Sequence, residues 1–149
     1  MLFRNDEHKE FYEHQLDVWE MHSKKKPDCY ARALIYTLGI CEDTRLHFES
    51  VCNVKRREIV PEAIHAGWQT SGSMQVTRLA FQLFTDNVPT AMRYGDSGEL
   101  EVKDIFECKR YSVSDIFCSE FALFFVEAIK LRYPEYMRVS EPVVSSGLR

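Results

Sequence analysis

Residues 112–134 read SVSDIFCSEFALFFVEAIKLRYP. Ser112-Val113-Ser114-Asp115 resembles a capping box with Asp in place of the usual Glu or Gln. From Ile116 to Tyr133, apolar side chains including Phe117, Phe121, Phe124, Phe125 and Ile129 occupy most of a helical circumference. Pro134 supplies the stop. A helix apolar nearly all round must be enclosed by others. This stretch therefore predicts a mainly α, single-domain helical bundle around a central C-terminal helix at about Ser112–Tyr133. That helix should pack on those at 28–38 and 74–85.

The partners are read from the same signals. Asn5 or Asp6 caps a helix to His22, with Phe11, Tyr12, Leu16, Val18 and Trp19 on one face. Glu10, Glu13, Asp17 and Glu20 lie on the opposite face, offset by Lys9 alone. Pro27 suits the first turn of a second helix, Asp28–Leu38, with Gly39 as its C′ stop. That segment is apolar on almost every side, and Arg32 is its only internal charge. Asp43 caps a third helix through Leu46, Phe48 and Val51. Asn53–Val60 reads as an extended connection and Pro61–Ala66 as a short helix ended by Gly67. Ser73 caps a helix to Thr85. Residues 88–110 carry Pro89, Gly95 and Gly98, and predict a long loop or a small β-hairpin turning at Tyr94–Gly98. The globular domain is expected over 1–138 and a flexible tail over 139–149.

Composition narrows the class. A chain of 149 residues is one domain by default, burying roughly 70% of its unfolded surface. Hydrophobic content is 45% and charged content 28%, too apolar for disorder. A formal charge of −4 gives no general pull toward nucleic acid or anionic lipid. Lys24-Lys25-Lys26 and Lys55-Arg56-Arg57 are short, and acid follows each. Five cysteines, odd in number and without a CxxC pair, read as free thiols in a reducing compartment. The start Met1-Leu2-Phe3-Arg4 has no apolar h-region, and the longest apolar run is too short for a membrane span. The expected location is the cytoplasm.

The stretch Gly67-Trp68-Gln69-Thr70-Ser71-Gly72-Ser73 opens onto an apolar helix with Arg78 a turn inside. Backbone N–H groups and hydroxyls at a helix N-terminus suit an anion. The candidate ligand-binding set is Trp68, Gln69, Thr70, Ser71, Ser73 and Arg78, with Arg32 and Arg45 as converging charges. The structural alternative has these arginines pairing with Asp43, Glu120 or Glu127. The acidic face Glu10, Glu13, Asp17 and Glu20 is the candidate surface for a basic protein partner.

Other chemistries find less. His8, His14, His22, His47 and His65 form no i, i+4 pair. The seven-residue steps from His8 through Gln15 to His22 separate successive side chains by about 10 Å along the axis, too far to share an ion. No metal and no cofactor is expected. Nucleophile-elbow, Rossmann and P-loop glycines are absent. A helix-turn-helix reading joins Pro61–Ala66 to the following helix, with Gln75, Arg78 and Gln82 outward. Its turn is too long and the chain too acidic. A hydrolase would need a titratable pair near the loop, with His65 the first suspect.

The stretches Gly67–Ser73, Arg78-Leu79-Ala80-Phe81 and Ile129-Lys130-Leu131-Arg132-Tyr133-Pro134-Glu135-Tyr136 resemble a family of small bacterial and mobile-element proteins known only as a domain of unknown function. The resemblance runs from Phe3 to Tyr136 and carries no catalytic residues. It implies an intracellular accessory protein of a phage or plasmid setting, where inhibitors and immunity factors act by binding. The expected function is a non-enzymatic binding protein for a protein partner or a small anionic or nucleotide ligand at Gln69–Ser73. A helix-turn-helix DNA binder and a hydrolase are the alternatives.

Overall fold

A computed structural model describes residues 1–141 and 143–147. It is mainly helical, with two small antiparallel strand pairs. The long helix α1 (Asp6–Ser23) begins where Asn5 accepts the His8 N–H at 2.8 Å. It buries His8, Tyr12 and Trp19, with Phe11 and Leu16 packed beside them.

Helix α2 (Cys29–Leu38) is the most enclosed element. Every residue from Ala33 to Leu38 has essentially no exposed surface. Asp28, not Pro27, starts it, accepting the Ala31 N–H at 2.9 Å, so Pro27 precedes the cap. Gly39 closes it with an ordinary φ of −80° rather than a left-handed one. The glycine is needed for space: a Cβ there would lie 2.7 Å from Phe11 Cδ1 and 2.8 Å from His8 Cδ2.

The predicted third helix is two short ones, α3 (Glu42–Leu46) and α4 (Phe48–Val51). His47 breaks them, and Cys41 takes the cap position expected of Asp43. The extended connection is a small hairpin of β1 (Cys52–Asn53) and β2 (Glu58–Ile59), turning through Arg57 at φ 56°. A 3₁₀ turn, Pro61–His65, follows.

Helix α5 (Ser71–Thr85) begins three residues earlier than a Ser73 cap would allow, because Thr70 is the N-cap. Strands β3 (Met92–Tyr94) and β4 (Leu100–Val102) form the expected hairpin, with Gly98 at φ +85° in its turn. The sequence reading missed α6 (Ile105–Lys109), which is capped by Asp104.

The C-terminal run divides into α7 (Val113–Phe117), capped by Ser112 as expected, and α8 (Ala122–Arg132). The break exposes the carbonyls of Asp115 and Cys118, and Gln75 of α5 donates to both at 2.8 and 2.9 Å. Helix α8 packs on α2 and α5 as predicted, and a 3₁₀ turn follows from Pro134. Ile116, Phe121, Phe125 and Ala128 join the α2–α5 core. Of the expected tail, Pro142, Leu148 and Arg149 lie outside the described residues.

Candidate functional site

The Gln69–Ser73 loop spends most of its polar groups on itself. Thr70 Oγ1 accepts the Ser73 N–H at 3.1 Å, and Ser73 Oγ accepts the Thr70 N–H at 2.7 Å. The buried Ser73 hydroxyl donates to Gln69 Oε1 at 2.6 Å. The Gln69 amide donates to the Ala63 carbonyl at 3.1 Å and to Thr77 Oγ1 at 3.2 Å. Trp68 stacks flat on His47, with ring centroids 4.4 Å apart. Gln69, Thr70, Ser73 and Trp68 are thus committed to helix capping and loop packing. Ser71 alone of the loop hydroxyls lines the neighbouring cleft.

The candidate arginines do not converge. Arg32 donates to the Pro27 carbonyl at 2.6 Å, and Arg45 to the Gly39 carbonyl at 2.8 Å. Arg78 makes a two-pronged pair with Glu107 of α6, at 2.7 and 2.9 Å. Burial acts to raise the Glu107 pKa, but the Arg78 and Thr90 hydrogen bonds and the Arg78 charge outweigh it, and the net shift is downward. Thr90 donates to the same carboxylate at 2.6 Å and meets the Tyr111 hydroxyl. Arg78 and Gln75 therefore tie α5 to α6 and α7. That withdraws two of the three side chains a groove-reading helix would present.

Between α5 and α7 these contacts leave a cleft of about 480 Å³, within the range of small-molecule sites. Ser71, Met74, Gln75 and Arg78 line it from α5, and Arg110, Ser114, Asp115 and Cys118 from the other side. Ser71 and Gly72 open α5, so their N–H groups lack intrahelical acceptors. Arg110 makes no ion pair among the described residues. The sequence reading missed Arg110, Ser114, Asp115 and Cys118. Arg110 caps the C-terminus of α6 and the other three belong to α7 and its cap, so only tertiary packing joins them to the loop.

Elsewhere, Glu10, Glu13, Asp17 and Glu20 are all exposed on α1, with Lys9 3.9 Å from Glu13. His65 sits exposed on the 3₁₀ turn. No group of three His, Cys, Asp or Glu among the described residues is placed to hold a metal ion. No helix among them is long and apolar enough to cross a membrane. All five cysteines are free.

Fold and site together define a mainly helical domain with a polar, arginine-bearing cleft beside the start of α5. The chain belongs to a family of unknown function, DUF6075, whose model matches residues 1–144. No curated protein and no solved structure matches it.

Proposed function

We propose that the protein is a binding protein for a small ligand bearing an anionic group, a phosphate or carboxylate, taken up in the α5–α7 cleft. The observation that carries this reading is Arg110, a guanidinium without an ion-pair partner among the described residues, lining the cleft with the first turn of α5. A ligand anion would receive the Arg110 fork and the open N–H group of Ser71. Ser71 and Ser114 add hydroxyls. Arg78 holds the wall, since its fork is already spent on Glu107. Asp115 in the same cleft favours a ligand that also carries a donor, as nucleotides and amino acids do. The binding requires no bond-making chemistry, and the free thiols support an intracellular setting.

Thermal shift followed by calorimetric titration with inorganic phosphate, mononucleotides and free amino acids tests the proposal. At least one should raise the melting temperature, and Arg110→Ala should weaken its binding about tenfold or more. Equal affinity in Arg110→Ala and Ser71→Ala, or no binder across the panel, would overturn it. Changing Gln69 or Arg78 is a poorer test, because both also hold the fold.

A further inference from the structure

The α5–α7 cleft holds two opposite charges that do not neutralise each other. Arg110 is the C-cap of α6, and Asp115 lies in the first turn of α7. Both line the cleft. Between them the chain turns where the Ser112 N–H donates to the Lys109 carbonyl at 3.1 Å. Asp115 gives its N–H to Ser112 Oγ and its carbonyl to Gln75. Its carboxylate joins no ion pair among the described residues, and neither does the Arg110 guanidinium. No buried polar side-chain atom among those residues lacks a partner, so both charges stand open to the water of the cleft.

The remaining charge on the wall is already balanced, because Glu107 meets Arg78 at 2.7 Å. A ligand therefore finds one cation and one anion, with no net charge between them. This balance discriminates among ligands bearing an anionic group. A phosphate monoester carries about two negative charges near neutral pH. Arg110 offsets one of them, and Asp115 repels the excess. A nucleobase also finds no ring to stack on, since none of the described residues lining the cleft is aromatic.

We propose, building on the anion site assigned above, that the ligand is a free amino acid bound as its zwitterion. The carboxylate takes the Arg110 fork and the Ser71 N–H. The ammonium takes the Asp115 carboxylate, with the Ser114 hydroxyl as a second acceptor. Met74 supplies an apolar surface for the ligand's side chain, and a volume of about 480 Å³ leaves room for it. Selectivity for the class comes from charge. A ligand lacking either end leaves the opposing protein charge dehydrated and unpaired.

Calorimetric titration of the full chain with the α-amino acids and their β and γ homologues, beside inorganic phosphate and mononucleotides, tests the proposal. At least one amino acid should bind with a dissociation constant below about 1 mM. For the tightest, the carboxylic acid lacking the amine and the amine lacking the carboxyl should each bind at least about tenfold more weakly. The homologues report which spacing of the two charges the cleft accepts. In Asp115→Asn, the gap between the amino acid and its amine-free acid should shrink to less than about threefold, while the other gap persists. Arg110→Gln should do the converse. A general loosening of the cleft would not give these crossed losses, and the analogues probe the unaltered protein, whatever the variants do to folding. Phosphate or a mononucleotide binding through Arg110, with no amino acid bound, overturns the zwitterion and leaves the anion site standing. An amino acid that binds no better than its amine-free acid does the same. Gaps unchanged in both variants overturn the proposal too, by placing the bound amino acid outside this cleft. No binder across the whole panel removes the zwitterion and the anion site together.

Discussion

Arg132 is the most buried of the charged side chains among the described residues. It is 5% exposed, and Nε donates to the Leu83 carbonyl at 2.9 Å. A terminal nitrogen meets both Asp86 oxygens at 2.9 and 3.0 Å. Its guanidinium carbon lies 3.5 Å from the centroid of Tyr30 and 4.5 Å from that of Tyr133. One side chain thereby joins the C-terminal ends of α5 and α8 to the first turn of α2. Asp86 is half exposed, so the carboxylate left by truncation would rehydrate. The chief losses are the Leu83 hydrogen bond and the ring stacking. Arg132→Ala should therefore cost about 2–3 kcal/mol in urea denaturation. Arg132→Lys should recover less than half of that, because an ammonium cannot reach the carbonyl and both carboxylate oxygens in one plane. The partners sit 46 and 49 residues away. No local pattern announces such a contact, and the sequence reading looked for arginine partners among Asp43, Glu120 and Glu127 instead.

At the scale of the element, α5 shows what local signals resolve. Thr70, Ser71, Gly72 and Ser73 are all acceptable N-caps, so composition places the helix start only within a few residues. The choice of Thr70 is made by reciprocity, since Ser73 at the third position returns its hydroxyl to the Thr70 N–H. Thr70→Ala should cost about 1 kcal/mol, measured by chemical denaturation. Ser73→Ala should cost as much or more, because it also orphans Gln69 inside the loop. The double variant should lose less than the sum of the two, as one network is removed only once. The long helices α1, α2 and α5 were legible because their apolar periodicity runs for ten residues or more with polar caps. The break between α7 and α8 was not. Phe117, Phe121 and Phe125 fit an unbroken helix in one dimension, and Gln75, which satisfies the freed carbonyls, lies some forty residues upstream. The same gap hid the cleft. Ser71 and Arg78 were readable from the loop, whereas Arg110, at the C-terminal cap of α6, and Asp115 of α7 reach it only through tertiary packing.

For the molecule as a whole, the buried ionisable group that bears on stability in acid is His8. It is fully buried among Phe3, Tyr36 and Phe124. Nε2 donates to the Tyr36 carbonyl at 2.8 Å, while Nδ1 accepts the Arg4 N–H at 3.2 Å. Both nitrogens are satisfied only in the neutral ring, and a proton on Nδ1 would face a donor. Burial pushes the His8 pKa down to about 4; the Tyr36 carbonyl opposes this, and the charges of Arg45 and Arg4 reinforce it. The unfolded chain takes up its proton near the ordinary value of 6.5. As pH falls from 6.5 toward 4, protons therefore bind the unfolded state and not the native one, and stability declines. The shift corresponds to about 3 kcal/mol, fully present above pH 6.5 and gone below 4. Glu107, held below its normal range, adds a further loss only under more acid conditions. Urea denaturation at pH 7.5, 6, 5 and 4.5 should show most of the His8 decline, with the Glu107 loss entering only at the acid end of that range. In His8→Gln the curve should flatten over that window, from a lower starting stability. A wild-type profile level between pH 6.5 and 4.5 would mean that His8 takes up its proton in the native state as readily as in the unfolded chain, and would overturn the assigned burial penalty.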